Sequence, residues 1–140
     1  MLKRRDDVHG IVNGIDIQEW DPETDHHIPH NFGRDDLSGK DKCKACFLRS
    51  LDLDDDTSVP LIGFIGRLDR QKGADVLLDA LPSLLDTHVC GEKVNVVMLG
   101  TGDEQLEVRI RNAQQSFPDH FRGILEFNVK AAHQIIASCD

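Results

Sequence analysis

The sequence predicts an α/β fold built on a Rossmann-like parallel sheet. Three apolar segments that resemble strands, at 59–66, 95–100 and 124–128, are each followed by a segment with helical spacing of its apolar residues. Alternation of strand and helix is typical of a parallel sheet with right-handed crossovers, because a parallel neighbour needs a long return connection. We therefore predict a partial Rossmann-like domain over residues 38–140, preceded by a connecting segment over residues 1–37.

Composition and charge exclude several functional classes. The chain has 140 residues, of which 39% are hydrophobic and 29% charged, and its formal net charge is −9. This charge repels nucleic acid and anionic lipid, so neither is an expected partner. No apolar run approaches the ~18 residues that span a membrane. Residues 1–8 lack the apolar core of a secretory signal, and they are too short and acidic for a transit peptide.

The first 58 residues contain one predicted helix. The connecting segment carries an Asn-Gly turn signal and a Trp-Asp-Pro break, with no helical period. A helix is predicted from Ser38, as its N-cap, to about Asp52. The acidic composition of residues 53–58 predicts a linker after this helix. The apolar stripe of the helix consists of Cys43, Cys46, Phe47, Leu48 and Leu51.

Two groups of potential metal ligands lie in this half of the chain. Cys43 and Cys46 form a CxxC motif, which can be a redox pair or half of a zinc site. No second ligand pair follows at a suitable spacing, and positions three apart share one face of a helix, so a structural role is favoured. His26, His27 and His30 lie in a polar stretch with two prolines, which favours a solvated loop over a metal site.

The second half of the chain contains the alternating strands and helices. The nearly all-apolar run 59–66 predicts a strand buried on both faces. The helical pattern 74–86 contains Pro82, which is expected to kink or shorten the helix. Residues 95–100 predict a second buried strand, and Asp103 and Glu104 open a helix to about Gln115. A weaker strand at 124–128 precedes a helix that begins near residue 131.

The loop after the first strand is the strongest candidate for a binding site. Ligands of open parallel sheets bind beyond the carboxyl ends of the strands. In this loop Gly66 allows a sharp turn, Arg67 and Lys72 supply positive charge, and Gly73 starts the helix. A guanidinium, an ammonium and a helix N-terminus together form a site suited to a diphosphate. The alternative, that these are ordinary exposed loop charges, is less favoured because of the position and the two glycines.

The second strand ends in a similar turn. Gly100 and Gly102 form a GxG that lacks the third glycine of a dinucleotide-binding fingerprint, so we interpret it as a tight strand-to-helix turn lining the cleft. The sequence contains neither a Walker A lysine-serine pair nor a Gly-x-Ser-x-Gly motif, which excludes a P-loop NTPase and an esterase elbow.

Four stretches resemble the starch synthase and bacterial glycogen synthase family. They are GIVNGIDIQEWDPETD (10–25), PLIGFIGRLDRQKGADVL (60–77), VVMLGTGDEQLE (96–107) and FNVKAAHQIIASCD (127–140). The resemblance implies a retaining glucosyltransferase that adds glucose from ADP-glucose to the non-reducing end of an α-1,4-glucan. It also implies the two-domain GT-B fold, with the donor held by the carboxyl-terminal domain. Arg67 and Lys72 correspond to the residues that contact the donor phosphates, and Asn13 to a residue near the cleft.

The resemblance has further implications. No metal or other cofactor is expected, and the full enzyme would bind starch or another α-glucan, in the plastid of a plant or alga or the cytoplasm of a bacterium. The FN-x-x-x-AHQI stretch resembles the granule-bound enzymes of this family more than the soluble ones. The family's amino-terminal domain and its Glu-Pro-Cys-Gly motif do not occur in these 140 residues. We therefore expect a fragment without catalytic residues of its own. The alternative is a truncated, non-catalytic paralogue that binds nucleotide, glucan or a partner.

Overall fold

The computed structural model describes residues 9–140, apart from the side chains of Val89 and Cys90. Met1–Val8, for which the sequence predicts no targeting signal, lie outside the described residues. Three parallel strands form a sheet in the order β1-β2-β3, with β1 at Leu61–Ile65, β2 at Asn95–Leu99 and β3 at Phe121–Ile124. The predicted α/β fold with a parallel sheet is confirmed. The helices are α1 (Ser38–Ser50), α2 (Ala74–Leu84), α3 (Thr87–Cys90), α4 (Glu104–Ser116) and α5 (Val129–Ser138).

Helices cover both faces of the sheet. All five residues of β2 are buried, and they alternate between two cores because successive side chains of a strand point to opposite faces. On one face, Val96 and Met98 contact α2 and α4, and on the other face Val97 and Leu99 contact α1 and α5. The prediction of a strand at 95–100 that is buried on both faces is thus confirmed.

The prediction that β1 is buried on both faces is wrong. Leu61 is buried, but Ile62 and Ile65 are 37% and 41% exposed. β1 is an edge strand, since its only partner among the described residues is β2. The apolar composition of the segment is the same for an edge strand and a central one, so composition did not reveal its position.

The third strand lies earlier in the chain than predicted. The structure places it at Phe121–Ile124 instead of 124–128, with Phe121 fully buried opposite Val96. The register follows from burying this aromatic ring, because moving the pairing by one residue would turn Phe121 towards the other face. Residues 126–128 leave the sheet and lead into α5.

The helix ends are set by side chains that the sequence predicts only in part. Ser38 is not an N-cap, because α1 begins at Ser38 itself and Leu37 occupies the cap position without a side-chain hydrogen bond. Instead, the Asp36 carboxylate accepts the Ser38 N–H at 2.9 Å. Asp103, predicted to lie at the start of a helix, caps α4, and Asn128 caps α5. α2 contains Pro82 inside the helix and ends at Leu84, two residues before the end of the predicted pattern 74–86.

Residues 9–37 contain turns and one short bridge between Gly33 and Asp36, but no helix or strand. They pack against α5 through the side chains of Trp20 and Asp25, which both contact His133. In the described part of the chain, no helix combines the length and apolarity needed to cross a membrane.

Candidate functional site

A cavity of about 340 Å³ lies at the carboxyl ends of the strands. This is where ligands of open parallel sheets bind, because the loops that leave the strands diverge there. The connecting segment, the ends of β1 and β2, and the loop between β3 and α5 all contribute to its wall. The lining residues are Glu19, Trp20, Ile65, Gly66, Arg67, Leu99, Gly100, Thr101, Glu126, Phe127, Asn128, Val129 and Ala132.

The loops that follow β1 and β2 are hydrogen-bonded to each other beyond the ends of the strands. The Gly66 N–H donates to the Leu99 carbonyl at 3.0 Å and the Leu68 N–H to the Thr101 carbonyl at 3.0 Å. The Asp103 N–H returns to the Leu68 carbonyl at 2.8 Å. These bonds extend the parallel ladder into the floor of the cavity, so the two loops form one rigid base.

Gly100 and Gly102 are required for this close approach. Gly100 has φ +156°, and a Cβ atom there would lie far inside van der Waals distance of the Gly66 carbonyl oxygen. A Cβ at Gly102 would lie 2.5 Å from the Leu68 carbonyl oxygen. Gly66 and Gly100 line the cavity, whereas Gly102 and Gly73 do not. Gly73 has φ +77° and forms the N-cap of α2.

Of the two predicted phosphate ligands, Arg67 is at the cavity. Its side chain is 73% exposed, and Nη2 lies 3.4 Å from Asp69 Oδ2. Lys72 ends a 3₁₀ turn over Arg70–Lys72, and its N–H donates to Asp69 Oδ1 at 2.9 Å. Asp69 therefore organises the loop between the two basic residues. Lys72 does not line the cavity, but its Cγ lies 3.9 Å from a Cβ placed on Gly66, so it is close to the rim.

The N-terminus of α2 differs from those of the other two helices that follow strands. Asp103 caps α4 by accepting the N–H groups of Gln105 and Leu106, and Asn128 caps α5 by accepting that of Ala131. No side chain caps α2. The N–H groups of the first turn of α2 therefore donate to no capping side chain, although Asp75 lies in that turn, and the helix dipole adds positive potential beside Lys72.

Two carboxylates also line the cavity. They belong to Glu19, in the connecting segment, and Glu126, which accepts a hydrogen bond from Asn128 Nδ2 at 2.6 Å. Glu126 therefore places a negative charge in the wall of the cavity. Arg67 is thus the single basic residue among those that line the cavity.

Sequence reasoning missed two aromatic residues of the cavity wall. Phe127 is 91% exposed although it is a large apolar side chain, and it was assigned to a strand. In the sequence, Trp20 is marked only as part of the Trp-Asp-Pro break in the connecting segment. An exposed aromatic face in a cavity offers a stacking surface for a ring of a ligand. Phe127 directly precedes Asn128, the N-cap of α5, and so lies in a loop between a strand and a helix. A large apolar residue in such a loop does not pack in the core, and this position could have indicated an exposed ring.

Asn13, predicted to lie near the cleft, is exposed and is not among the residues lining the cavity. Its neighbours Ile11 and Val12 are each 92% exposed. No described contact therefore connects Asn13 to Arg67.

The cysteines and histidines of the first half have structural contacts. The Cys43 thiol donates to the His30 carbonyl at 3.0 Å, and burial raises the pKa of that thiol. Cys43, Cys46 and Cys139 are free thiols. Within the described residues, no group of three or more His, Cys, Asp or Glu side chains is arranged to hold a metal ion.

Comparison with known proteins gives the family context of this site. No family model matches the chain. Starch synthase 1, chloroplastic/amyloplastic, from Triticum aestivum is 49% identical over 140 residues, which is all of this chain and 21% of the relative. The chain is homologous to part of the starch synthases and glycogen synthases. The glycogen synthase of Anaeromyxobacter sp. (strain Fw109-5) is 42% identical over 137 residues, which is 28% of that protein.

A solved starch synthase shares the fold. The catalytic domain of starch synthase IV from Arabidopsis thaliana, bound to ADP and acarbose, matches with a TM-score of 0.81 and 30% identity over 94% of this chain. The match covers 26% of that domain, so the present chain corresponds to about a quarter of a GT-B catalytic domain. The family resemblance that the motifs indicated is confirmed. The chain spans about a fifth of the length of the wheat relative.

Proposed function

We propose that this chain forms the donor-binding part of a glucosyltransferase, which transfers glucose from ADP-glucose to the non-reducing end of an α-1,4-glucan. The observation that most supports this proposal is the cavity at the carboxyl ends of β1 and β2, with Arg67 on its wall. The chain that forms it is 49% identical to part of a starch synthase. The solved relative, starch synthase IV, was bound to ADP and acarbose, which supports a nucleotide and a glucan as ligands.

The geometry supports a division of the cavity between the two halves of ADP. The diphosphate lies at Arg67, beside Lys72 and the uncapped first turn of α2, where N–H groups and side-chain cations neutralise its charge. The apolar walls and the exposed ring of Phe127 accommodate the base. When the bond between glucose and phosphate breaks, negative charge develops on the departing ADP. Cations already in place stabilise that charge more in the transition state than in the ground state.

ADP binding to this chain tests the proposal by isothermal titration calorimetry. We expect Arg67→Ala and Lys72→Ala each to weaken ADP binding by about tenfold or more, because each removes a charge-assisted hydrogen bond to phosphate. Arg70→Ala is the matched control. Arg70 lies on the same loop but lines a different groove, with Asp75 and Asp79. In a complete synthase carrying this segment, either substitution at Arg67 or Lys72 should lower turnover at least about a hundredfold.

The result that contradicts the proposal is equally specific. If the wild-type chain binds no ADP, or if all three variants bind ADP within threefold of wild type, the cavity is not a diphosphate site. Circular dichroism spectra of the variants must match that of wild type, so that a loss of binding is not a loss of fold.

We also propose that binding requires no metal ion, because two cationic side chains and a helix N-terminus neutralise the diphosphate. Accordingly, ADP affinity should be unchanged by EDTA. A loss of affinity that added Mg²⁺ restores would contradict this. The wheat relative is named chloroplastic/amyloplastic, and we propose a plastid as the site of action if the source is a plant or alga.

A further inference from the structure

Trp20 forms part of the cavity wall although it belongs to the connecting segment. It lies in the same cavity wall as Gly66, Arg67 and Gly100. It is also the only tryptophan of the chain, which has no tyrosine. Residues 9–37 contain no helix or strand, so regular secondary structure does not fix the position of this ring. The Trp20 backbone is held in a turn by its N–H, which donates to the Asp16 carbonyl at 3.1 Å, and the orientation of the ring depends on side-chain contacts.

Those contacts are with a buried histidine of α5. The rings of Trp20 and His133 are stacked, with centroids 3.9 Å apart and planes inclined by 6°. The His133 side chain is completely buried, with 0% exposure. A stacked aromatic pair contributes about 0.5–1.5 kcal/mol beyond the area it buries, which corresponds to roughly two- to tenfold in an equilibrium constant.

The orientation of His133 is in turn fixed by a carboxylate of the connecting segment. Asp25 Oδ2 lies 2.7 Å from His133 Nδ1, and only 7% of the Asp25 side chain is exposed. Asp25 Oδ1 accepts the His27 N–H at 2.7 Å. Burial by itself would raise the pKa of Asp25, but the hydrogen bonds from His27 and His133 outweigh it and lower that pKa. Asp25 is therefore ionised at neutral pH and holds the imidazole plane.

These contacts form a chain of three side chains from Asp25 through His133 to the cavity wall at Trp20. An anchor between the connecting segment and α5 needs only apolar packing. Burying a carboxylate and an imidazole costs desolvation free energy. The hydrogen bond between them fixes one orientation of the imidazole ring, which apolar packing alone does not do. His133 Nε2 is buried without a hydrogen-bond partner, so the pair is not arranged to satisfy every polar atom.

We propose that Trp20 is a donor-contacting residue and that Asp25 and His133 are positioning residues that hold its ring at the cavity. This inference rests on the proposed function, since it takes ADP as the occupant. It assigns the connecting segment a part in donor binding: the cavity is complete only when the Trp20–Asp25 stretch is docked on α5.

Tryptophan emission tests the inference, because every change in emission arises from Trp20. ADP should change the emission of the wild-type chain along a saturating curve, with the dissociation constant found by calorimetry. Trp20→Ala should weaken ADP binding by about fivefold because it removes a ring that contacts the donor, and His133→Gln should weaken it by a similar factor because it releases that ring. His133→Gln should also shift the emission before ADP is added. Trp20→Phe, which retains an aromatic ring, should restore most of the affinity lost in Trp20→Ala.

His120→Gln is the matched control. His120 Nδ1 lies 3.1 Å from Asn95 Oδ1 at the amino-terminal end of β2. Like His133, it contacts a polar side chain through Nδ1, but it lies at the end of the sheet opposite the cavity. It should bind ADP within twofold of wild type. Asp25→Asn, which retains hydrogen-bonding atoms, covers the case in which His133→Gln fails to fold, and it should shift the emission in the same direction.

Three results overturn the inference. If calorimetry shows ADP binding but saturating ADP leaves the emission unchanged, Trp20 does not contact the donor, while the proposed function stands. If a folded His133→Gln or Asp25→Asn variant binds ADP within twofold of wild type, the pair has only a structural role. If calorimetry shows no binding to the wild-type chain, the proposed function fails and the inference with it.

Discussion

At the scale of single residues, the cavity places one guanidinium against two carboxylates. Arg67 shares the wall with Glu19 and Glu126, and the whole chain has a formal net charge of −9. An anionic ligand is therefore held by the placement of individual groups against the average field of the chain. Single charge changes at this wall should have measurable effects on affinity.

Glu126→Gln tests this argument, because it removes a negative charge from the wall and preserves the shape of the side chain. We expect ADP to bind about two- to fivefold more tightly, the effect of one exposed charge at close range. The gain should decrease as salt is added, because exposed charges are screened. Calorimetry at low and high ionic strength measures both effects.

Glu92→Gln makes the same charge change in an exposed loop before β2, at the other end of the sheet. If it improves binding as much as Glu126→Gln does, the effect is one of overall charge. If Glu126→Gln weakens binding, the carboxylate contacts the ligand favourably and our account of the wall is wrong.

The sequence predicted the residues of the cavity only where a loop pattern marks them. Arg67, Gly66 and Gly100 were found because they follow apolar strands and adjoin helix starts. Trp20 and Phe127 were missed, because their positions depend on how the connecting segment and the β3–α5 loop fold back over the sheet. That packing depends on residues far apart in the sequence, so the spacing of residues within one segment does not predict it.

At the scale of elements, local signals predicted α4 and β2 well and neighbour-dependent features poorly. Asp103 is a cap that acts within three residues of itself, so the start of α4 could be predicted. The exposure of β1 depends on its place at the edge of the sheet, and the register of β3 depends on which core receives Phe121. Neither is encoded by the apolar pattern of the strand alone.

The loops after β1 and β2 act as one element, and Gly100→Ala tests this. The new Cβ would overlap the Gly66 carbonyl oxygen, at a φ that L side chains rarely adopt. We expect a loss of about 2–4 kcal/mol in the free energy of unfolding, from backbone strain and steric overlap together. Urea unfolding followed by circular dichroism measures the loss.

Gly73→Ala provides the comparison, because Gly73 also has a positive φ but no atom within 4 Å of an added Cβ. It should lose only the cost of the left-handed conformation, about 1–2 kcal/mol. Equal losses in the two variants would mean that the two loops are not packed as tightly as described.

At the scale of the whole molecule, the layers are joined by polar contacts as well as by the cores. The Lys44 side chain in α1 is 3% exposed, and its Nζ lies 2.6 Å from Asp140 Oδ2 and 2.8 Å from the Thr57 carbonyl. The same Asp140 oxygen accepts the Leu61 N–H at 2.8 Å. One ion pair thus connects α1, the linker, the start of β1 and the residues after α5.

Lys44→Met should show how much this connection contributes, because it keeps most of the apolar stem and removes the charge. Removing one partner of a buried ion pair costs about 3–5 kcal/mol. The Asp140 side chain is 54% exposed, so water replaces part of the lost contact. We therefore expect a loss of about 1–3 kcal/mol at pH 7, measured by urea unfolding. Arg49→Met is the control, since the Arg49–Asp55 pair on the same helix is exposed and should contribute under ~1 kcal/mol.

The pH dependence of the Lys44→Met effect identifies the ion pair as its cause. Burial would raise the pKa of Asp140, but the hydrogen bonds from Lys44 and Leu61 and the charge of Lys44 outweigh it and lower that pKa below 3.8. A carboxylate with a lowered folded pKa stabilises the fold above its unfolded pKa, and this contribution is lost as the pH falls through the folded pKa. The difference between wild type and Lys44→Met should therefore be constant down to about pH 4 and shrink below it. A difference that persists unchanged in acid would show that Lys44 acts through packing of its stem and its hydrogen bond to the Thr57 carbonyl, and not through the charge of Asp140.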